Sequence, residues 1–411
     1  MNINSDLHIH SKYSAATSKN MDLQTIAVEA HKKGIQLIGT GDCLHQKWLE
    51  KINQLEEEEG VYKLKDTLSH VLRREPYFIL TVEIEDKNRV HHLLILPEIS
   101  KAEELYESLR RYSNNINSDG RPNVNLNGVE IAEYARDSEA LIGPSHAFTP
   151  WTALYAYFDS LKDCYGELTK YVSFVELGLS ADSDYADRIK ELQNLTFLTN
   201  SDAHSPWLNK FAREFNRFEV DEISFSELKN AILRKKGRKP ILNVGFFPEE
   251  GKYNESACIK CYTHYTFQEC LANKLRCPCG GLIKKGVKDR INELATFETP
   301  IHPEHRPPYL HLIPLSEIIT QAIGLKSPNT KGVQTIWNDL IKRHGSEISV
   351  LVDVDTSELK TDERVLKAIK AFRNGTVIIH PGGGGQYGKV ELEKNSNNKI
   401  VPKPQSSLEG F

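Results

Sequence analysis

Residues 6–39 read DLHIHSKYSAATSKNMDLQTIAVEAHKKGIQLIG. Within them, Leu23–Lys33 spaces its apolar residues three and four apart, the period of an amphipathic helix, and a short β-rich run, Gln36–Gly39, follows. The same alternation continues to about Gly245. Further candidate strands are Tyr77–Val82, His91–Leu96, Ala140–Gly143, Phe174–Leu177, Thr196–Thr199 and Phe215–Val220. Helical patterns lie between them at Ala102–Tyr112, Val129–Ala135 and Phe225–Lys235, as in the spacing of Leu105, Leu109 and Tyr112. Strands separated by helices read as βα repeats around a parallel sheet. Seven such runs exceed what a small open sheet needs and suit a barrel.

The chain has 411 residues, 39% apolar and 26% charged. That is room for two or three domains at about 100–200 residues each, and it excludes a disordered, collagen-like or small disulfide-stapled chain. No run approaches the roughly 18–20 apolar residues of a membrane span. The opening residues MNINSDLHIH have no signal-peptide core, so a cytoplasmic protein with reduced thiols and no membrane partner is expected. The net charge of -4 hides an uneven distribution. Between Lys229 and Asn292 there are 14 Lys and Arg against 5 Asp and Glu, a local +9, which leaves 38 against 51 elsewhere. A polyanion responds to that local face rather than to the sum.

Composition changes near Asn243. Residues 246–295 are basic, hold five of the seven Cys and lack a long apolar pattern, as a metal-stapled module would. Helical periodicity returns from about Pro300 at Leu315–Ile323, Val333–Lys342 and Glu363–Arg373, with candidate strands at Val350–Val354 and Thr376–Ile379. The expected division is 1–245, 246–295, 296–392 and a flexible tail over 393–411. Cys258-x-x-Cys261 and Cys277-x-Cys279 stand fifteen residues apart, the arrangement of a four-Cys structural Zn site, in which Cys270 is an alternative ligand. The run of four glycines at 382–385 lacks the ending of a P-loop, and either approaches a DNA backbone or forms a plain turn.

The chemistry sits at strand ends. His8 and His10, at i and i+2, share one face of a strand. Asp42, Glu83, His146, Asp202 and His204 follow or end other candidate strands, while His91 opens one and His92 lies inside it. In βα barrels that rim is where active sites assemble. Mixtures of His and carboxylate suit Zn, Mn or Fe, and a cluster of two or three ions is expected, with Glu83 able to bridge two.

The order HxH, a GxGD-like segment, a lone Glu, a strand His, a later His and a closing DxH resembles the PHP (polymerase-and-histidinol-phosphatase) superfamily. Within it, the segments DLHIHSKYS, VEIEDKNRVHHLLI, GPSHAFTPWT, NSDAHSP, KGVKDRI and PGGGGQYG resemble the endonuclease Q family nearly end to end. The resemblance implies an α/β fold: a distorted (βα)7 PHP-type barrel, a small Cys-rich zinc module and a helix-rich α/β C-terminal domain. It implies metal ligands at His8, His10, Asp42, Glu83, His92, His146, Asp202 and His204, with His92 preferred over His91 because it precedes the Leu-Leu pair. Relatives often continue Asp-His where this chain has Asp42-Cys43, so one ligand used by some members is missing.

The activity implied is hydrolysis of DNA 5′ to a deaminated base (uracil, hypoxanthine, xanthine) or an abasic site. Zn, Mn or Mg would serve at the catalytic cluster, with Asp202 or His204 relaying a proton. A damaged nucleotide must leave the stack to be read. Candidate substrate contacts are Phe148, Trp151 and Ser180 in the loops, Arg213 and Arg217 near the DxH segment, and Lys285, Lys288 and Arg290 around the Cys module. At the C-terminus, Gln405, Leu408 and Phe411 follow the spacing of peptides that dock on the sliding clamp. A monomer acting on damaged DNA is expected.

Overall fold

The structure, a computed structural model, describes residues 1–65 and 75–393. Its strands are β1 (Asn2–Asp6), β2 (Leu37–Gly39), β3 (Glu56–Glu58), β4 (Val61–Lys63), β5 (Tyr77–Ile79) and β6 (Thr81–Glu85), followed by β7 (His91–Ile95), β8 (Leu141–Pro144), β9 (Phe174–Glu176) and β10 (Thr196–Leu198). Beyond these come β11 (Phe215–Glu219), β12 (Lys239–Gly245), β13 (Ala257–Cys258), β14 (Ile283–Lys284), β15 (Tyr309–His311), β16 (Val377–His380) and β17 (Lys389–Leu392). The principal helices are α1 (Leu23–Lys33), α2 (Ile99–Leu109), α3 (Gly128–Asp137), α4 (Phe225–Ile232), α5 (Leu315–Ala322), α6 (Lys331–His344) and α7 (Glu363–Arg373). The fold is α/β, and no helix among the described residues is long and apolar enough to cross a membrane.

The largest sheet runs β15-β12-β11-β1-β2-β5-β4-β3, and β6-β7-β8 and β9-β10 form two smaller ladders. β1, β2 and β5 are parallel, as are β9 and β10. The expected all-parallel arrangement fails at β6-β7-β8, which is antiparallel. The reason is local: the Asp86 carboxylate accepts from the backbone N–H groups of Asn88 and Val90 and makes a tight hairpin, so no helix crosses over. β5 passes through Leu80 directly into β6, an Ile142–Val172 bridge joins β8 to the approach of β9, and an Ile9–Ala203 bridge returns from beyond β10 to beyond β1. Inside this circuit Ile3, Leu37, Ile79, Leu93, Ile95, Leu141, Phe174 and Leu198 pack together, closed at one end by Phe225, Leu228 and Ile232 of α4.

Helix boundaries follow capping chemistry. The Asp22 carboxylate accepts from the Thr25 N–H at the start of α1, and Gly34 at φ 91° ends it in the left-handed region. Asn127 and Glu130 form a reciprocal capping box for α3. The expected strand at Val350–Val354 is instead a π-helical turn over Ser349–Asp353 that buries Val350, Leu351 and Val352. A short apolar run has no period that separates strand from buried helix, and packing decided it. The C-terminal helices are tied to the rest by polar contacts. Lys33 donates to Glu347 at 2.7 Å, Trp337 Nε1 donates to the same carboxylate at 2.6 Å, and Arg217 pairs with Asp353 at 2.8 Å. One apolar cluster runs without interruption from Ile9 to Val390.

Residues 257–284 stand apart, with a local core of only Cys258, Cys270, Cys277 and Ile283. The glycine run is not open to an external backbone. Gly382 N–H donates to the Glu249 carbonyl, Gly385 N–H donates to that of Lys252, and Glu255 N–H donates to the Gly382 carbonyl. A Cβ at Gly384, where φ is 63°, would collide with the Cys258 carbonyl. The run is a seam between the Cys module and β16-β17.

Candidate active site

His8 and His10 follow β1 with their rings buried. His8 Nδ1 donates to the Glu176 carboxylate at 2.9 Å, and His10 Nδ1 donates to Asp42 at 3.1 Å. These bonds fix the tautomers and leave each Nε2 as the lone-pair nitrogen. Both Nε2 atoms are buried without a hydrogen-bond partner. His8, His10 and Asp202 converge as one candidate metal group, and Glu83, His91 and His146 as a second. Glu83 faces both: its oxygens lie 3.6 Å from His8 Nε2, 3.5 Å from His10 Nε2, and 2.9 and 3.0 Å from His91 Nδ1 and His146 Nε2.

The donors fit divalent cations. Each Nε2 lone pair faces carboxylate oxygens of Glu83 and Asp202 at 3.2–3.7 Å in a buried site, an arrangement that is costly until a cation stands between them. Burial alone would push the Glu83 carboxyl up, but the charges on His91 and His8 hold it well below the usual carboxylate range. Burial likewise opposes a proton on His8, and Glu176 and Glu83 overcome it, so the site favours positive charge at Nε2, which a bound cation supplies in place of the proton. Asp42, His146 and Asp202 sit at φ 52°, 32° and 46°, left-handed positions that non-glycine residues rarely adopt, and such strain collects at functional sites.

Several sequence expectations change. His91, not His92, reaches the cluster. In the β6-β7 hairpin Glu85 pairs with His91 and Ile84 with His92. Residues opposite one another share a face, so Glu83, Glu85 and His91 point into the circuit. His92 points away, with Nδ1 at 2.7 Å from the Tyr165 hydroxyl and Nε2 at 3.5 Å from Asp86. Asp42 belongs to neither metal group. It stands behind His10 and also accepts from Ser11 N–H at 2.6 Å and from the Ser14 hydroxyl at 3.0 Å. His204 is at the rim, its ring centre 4.4 Å from that of His10, and its Nδ1 donates to the Asp202 carbonyl at 2.9 Å. Glu176 is the supporting residue that sequence reading passed over, although it ends β9.

A cavity of about 390 Å³ opens over the cluster. His91, His146 and Asp202 are at its base, and Arg121, Trp151, Ser180, Lys252, Tyr253 and Tyr387 are among its walls. Trp151 is half exposed, with the Lys284 ammonium 3.6 Å from its ring centre and Tyr253 edge-on at 5.9 Å. Lys252 lies 4.5 Å from the Tyr387 ring centre. Tyr253 and Tyr387 come from distant parts of the chain, and no local pattern marks them. A larger cleft of about 880 Å³ around Gln36, Glu58 and Tyr77 has no such convergence of imidazoles.

Other candidates already have partners within the protein. Phe148 is buried and stacked on Tyr155 at 5.1 Å. Arg217 donates to Asn4 at 2.8 Å besides pairing with Asp353. Arg290 donates to the Tyr155 and Phe158 carbonyls and to Asp159, joining the helix after the Cys module to the loop beyond β8. Arg213 donates to the Ser201 carbonyl at 3.3 Å, Lys285 pairs with Glu293, and Lys288 pairs with Glu255. Gln405, Leu408 and Phe411 lie outside the described residues.

The second cluster is all sulfur. Cys258, Cys261, Cys277 and Cys279 converge, with Sγ–Sγ separations of 3.5 Å for 258–279 and 261–277. The shortened knuckle closes, and Cys270 stays outside the group. Lys260 and Cys261 backbone N–H groups donate to Cys258 Sγ, as around a bound thiolate.

Residues 314–376 match the family described as MJ0043 C-terminal domain. An uncharacterised protein MJ0043 of Methanocaldococcus jannaschii is 48% identical over 255 residues, 60% of this chain but only 32% of that protein. The crystal structure of the lesion-specific endonuclease PfuEndoQ from Pyrococcus furiosus is 48% identical, covering 95% of this chain and 96% of that one, at a TM-score of 0.89. Endonuclease Q in complex with a 27-mer duplex carrying an abasic lesion at the active site is 47% identical, covering 96% and 97%, at 0.88. With that identity over nearly the whole of both chains, this protein belongs to the endonuclease Q family.

Proposed function

We propose that this chain is a metal-dependent endonuclease that cuts DNA 5′ to a deaminated base (uracil, hypoxanthine, xanthine) or an abasic site. The observation that carries the reading is the near end-to-end likeness to a lesion-specific endonuclease, joined to two ligand groups under one cavity. Cations held by His8, His10 and Asp202, and by Glu83, His91 and His146, would acidify a water and offset charge growing on the phosphoryl oxygens. The protein's part is positional. Glu176 and Asp42 hold two imidazoles in the ligating tautomer. His204, with its Nδ1 committed to a carbonyl, keeps a lone pair at Nε2. There it takes the proton of the attacking water, and the 3′ oxygen leaving on the opposite side of phosphorus takes its proton from solvent as the P–O bond breaks. Trp151, Tyr253 and Tyr387, with Lys252 and Lys284 between them, form a stacking wall for a nucleotide drawn out of the duplex.

The circuit of strands over 1–245 is, on this reading, a distorted (βα)7 barrel. Residues 246–295 are a module closed by zinc, 296–392 a DNA-contacting region, and 393–411 a tail whose Gln405, Leu408 and Phe411 dock on a sliding clamp. The enzyme acts as a cytoplasmic monomer with Zn, Mn or Mg at its catalytic centre. The test is a nicking assay on labelled duplexes with uracil, hypoxanthine or an abasic site, beside an undamaged duplex and a chromogenic phosphate monoester. Nicking of the damaged strands alone is expected. Turnover of the monoester alone would favour a small-molecule phosphatase, and inertness on every substrate a DNA-binding scaffold.

A further inference from the structure

Arg121 is a cavity-wall cation that belongs to neither ligand group. It reaches the cluster through a built loop. Gly120 lies so close to Asp42 that any Cβ would collide with its carboxylate, and Gly120 N–H donates to the Tyr13 carbonyl. On the other side the chain is sewn along β6: Glu85 N–H donates to the Pro122 carbonyl and Val124 N–H to that of Glu85. The loop therefore delivers one guanidinium to one place. Its Nη1 lies 3.4 Å from Glu83 Oε2, and Glu83 is the only side chain it pairs with among the described residues. About a third of the side chain is exposed, and it shares the cavity wall with His91, His146 and Asp202.

Two facts make this pairing provisional. The contact is long for a charge-assisted bond, whose heavy-atom distance is about 2.7–2.9 Å, and it engages one of five N–H donors. Glu83 is also the carboxylate that faces both ligand groups, so a cation on either side competes with Arg121 for the same oxygens. We infer that Arg121 is a substrate-positioning residue that exchanges Glu83 for a non-bridging oxygen of a phosphate in the cavity. A guanidinium released from Glu83 beside bound cations is repelled by them and attracted to an anion, whose oxygens its planar fork matches in pairs. Cations and phosphate then help each other to bind, because each completes the exchange that the other begins.

The inference rests on the endonuclease reading only for the identity of the phosphate, so the test begins without DNA. Mn²⁺ affinity is measured by calorimetry for the wild-type protein, Arg121→Gln and Arg121→Lys, with and without inorganic phosphate, and thermal melting checks the fold. In the wild type, phosphate should tighten Mn²⁺. In Arg121→Gln, Mn²⁺ without phosphate should bind several-fold tighter, since its competitor is gone, and the phosphate effect should vanish. Arg121→Lys should retain part of it. On an abasic duplex, Arg121→Gln should raise KM by about tenfold or more, the loss of one charge-assisted contact. Unchanged or weaker Mn²⁺ binding in Arg121→Gln, or a phosphate effect as large as in the wild type, overturns the inference. A wild-type protein that shows the Mn²⁺–phosphate linkage but nicks no damaged duplex overturns the proposed activity and leaves Arg121 standing.

Discussion

Two clusters of metal-type side chains occupy this molecule, and they are built in opposite ways. The imidazole and carboxylate centre grows from strand ends above a large apolar core, and its ligands are oriented before any cation arrives: His8 by Glu176 and His10 by Asp42. The four cysteines belong to a segment whose own core is four residues, three of them cysteines. In the first region the fold makes the site. In the second the site makes the fold, since so small a core supplies little stability without a metal. Removing a ligand should therefore cost chemistry in one place and structure in the other.

The largest effect expected is at the centre. Asp202→Ala should lower nicking by more than about 10³-fold, with the melting temperature close to wild type, because its neighbours remain held by Glu176 and Asp42. Cys258→Ser should do the reverse: about one zinc per chain lost by elemental analysis, early proteolysis within 250–290, and residual nicking that weakens with salt. A Cys258→Ser protein with full zinc content and unchanged melting would collapse the distinction.

A narrower break concerns neighbours on one strand. His91→Ala should remove a ligand and cost about 10²-fold or more in nicking at low Mn²⁺. His92→Ala should instead lower the melting temperature, since it opens a hole beside Tyr165 and Asp86 and leaves turnover nearly intact. Measured kcat and melting curves for both variants check which face carries the chemistry. The opposite pattern would mean that the hairpin register in solution differs by one residue.

This pair also marks how far sequence could be read. Ends of elements were legible where a capping residue announces them: Leu23–Lys33 and Glu363–Arg373 have the extents their periodicity gives, started by Asp22 and Asp362. His8, His10, His146 and Asp202 were legible because an imidazole or carboxylate closing a short apolar run gains nothing from apolar packing and so marks the rim of a strand. His91 was not, since choosing between adjacent residues requires the hairpin register, which the Asp86 turn sets. Given the 85–91 pairing, alternation from Glu83 selects His91. Tyr253 and Tyr387 were beyond reach for another reason. They arrive at the cavity through the seam between the glycine run and residues 249–258, a contact that leaves no periodic trace.

The smallest effect expected measures what gathering carboxylates under the centre costs the fold. Glu214 is buried behind it, one oxygen accepting from the Phe246 N–H at 2.8 Å and the other without a partner. Burial pushes its carboxyl up to about 8, outweighing the downward pull of the Phe246 N–H and of Arg213, and the nearby Glu176 and Asp6 carboxylates add to the rise. Asp6, buried beneath His8, is pushed up to about 7 by burial. A carboxyl that binds its proton more tightly folded than unfolded adds stability below its ordinary pKa near 4, and that stability fades as pH rises through the folded value. Stability, and the melting temperature with it, should therefore fall between about pH 4 and pH 8, by an amount on the order of several kcal/mol in total. Glu214→Gln keeps the shape and the bond to Phe246 but cannot ionise, so it should flatten that fall and melt above wild type at pH 8. The Cys module has no counterpart to this slope. Once its thiolates hold a metal, acid loosens it, so its proteolysis should slow as the pH rises over the same interval in which the rest of the chain weakens.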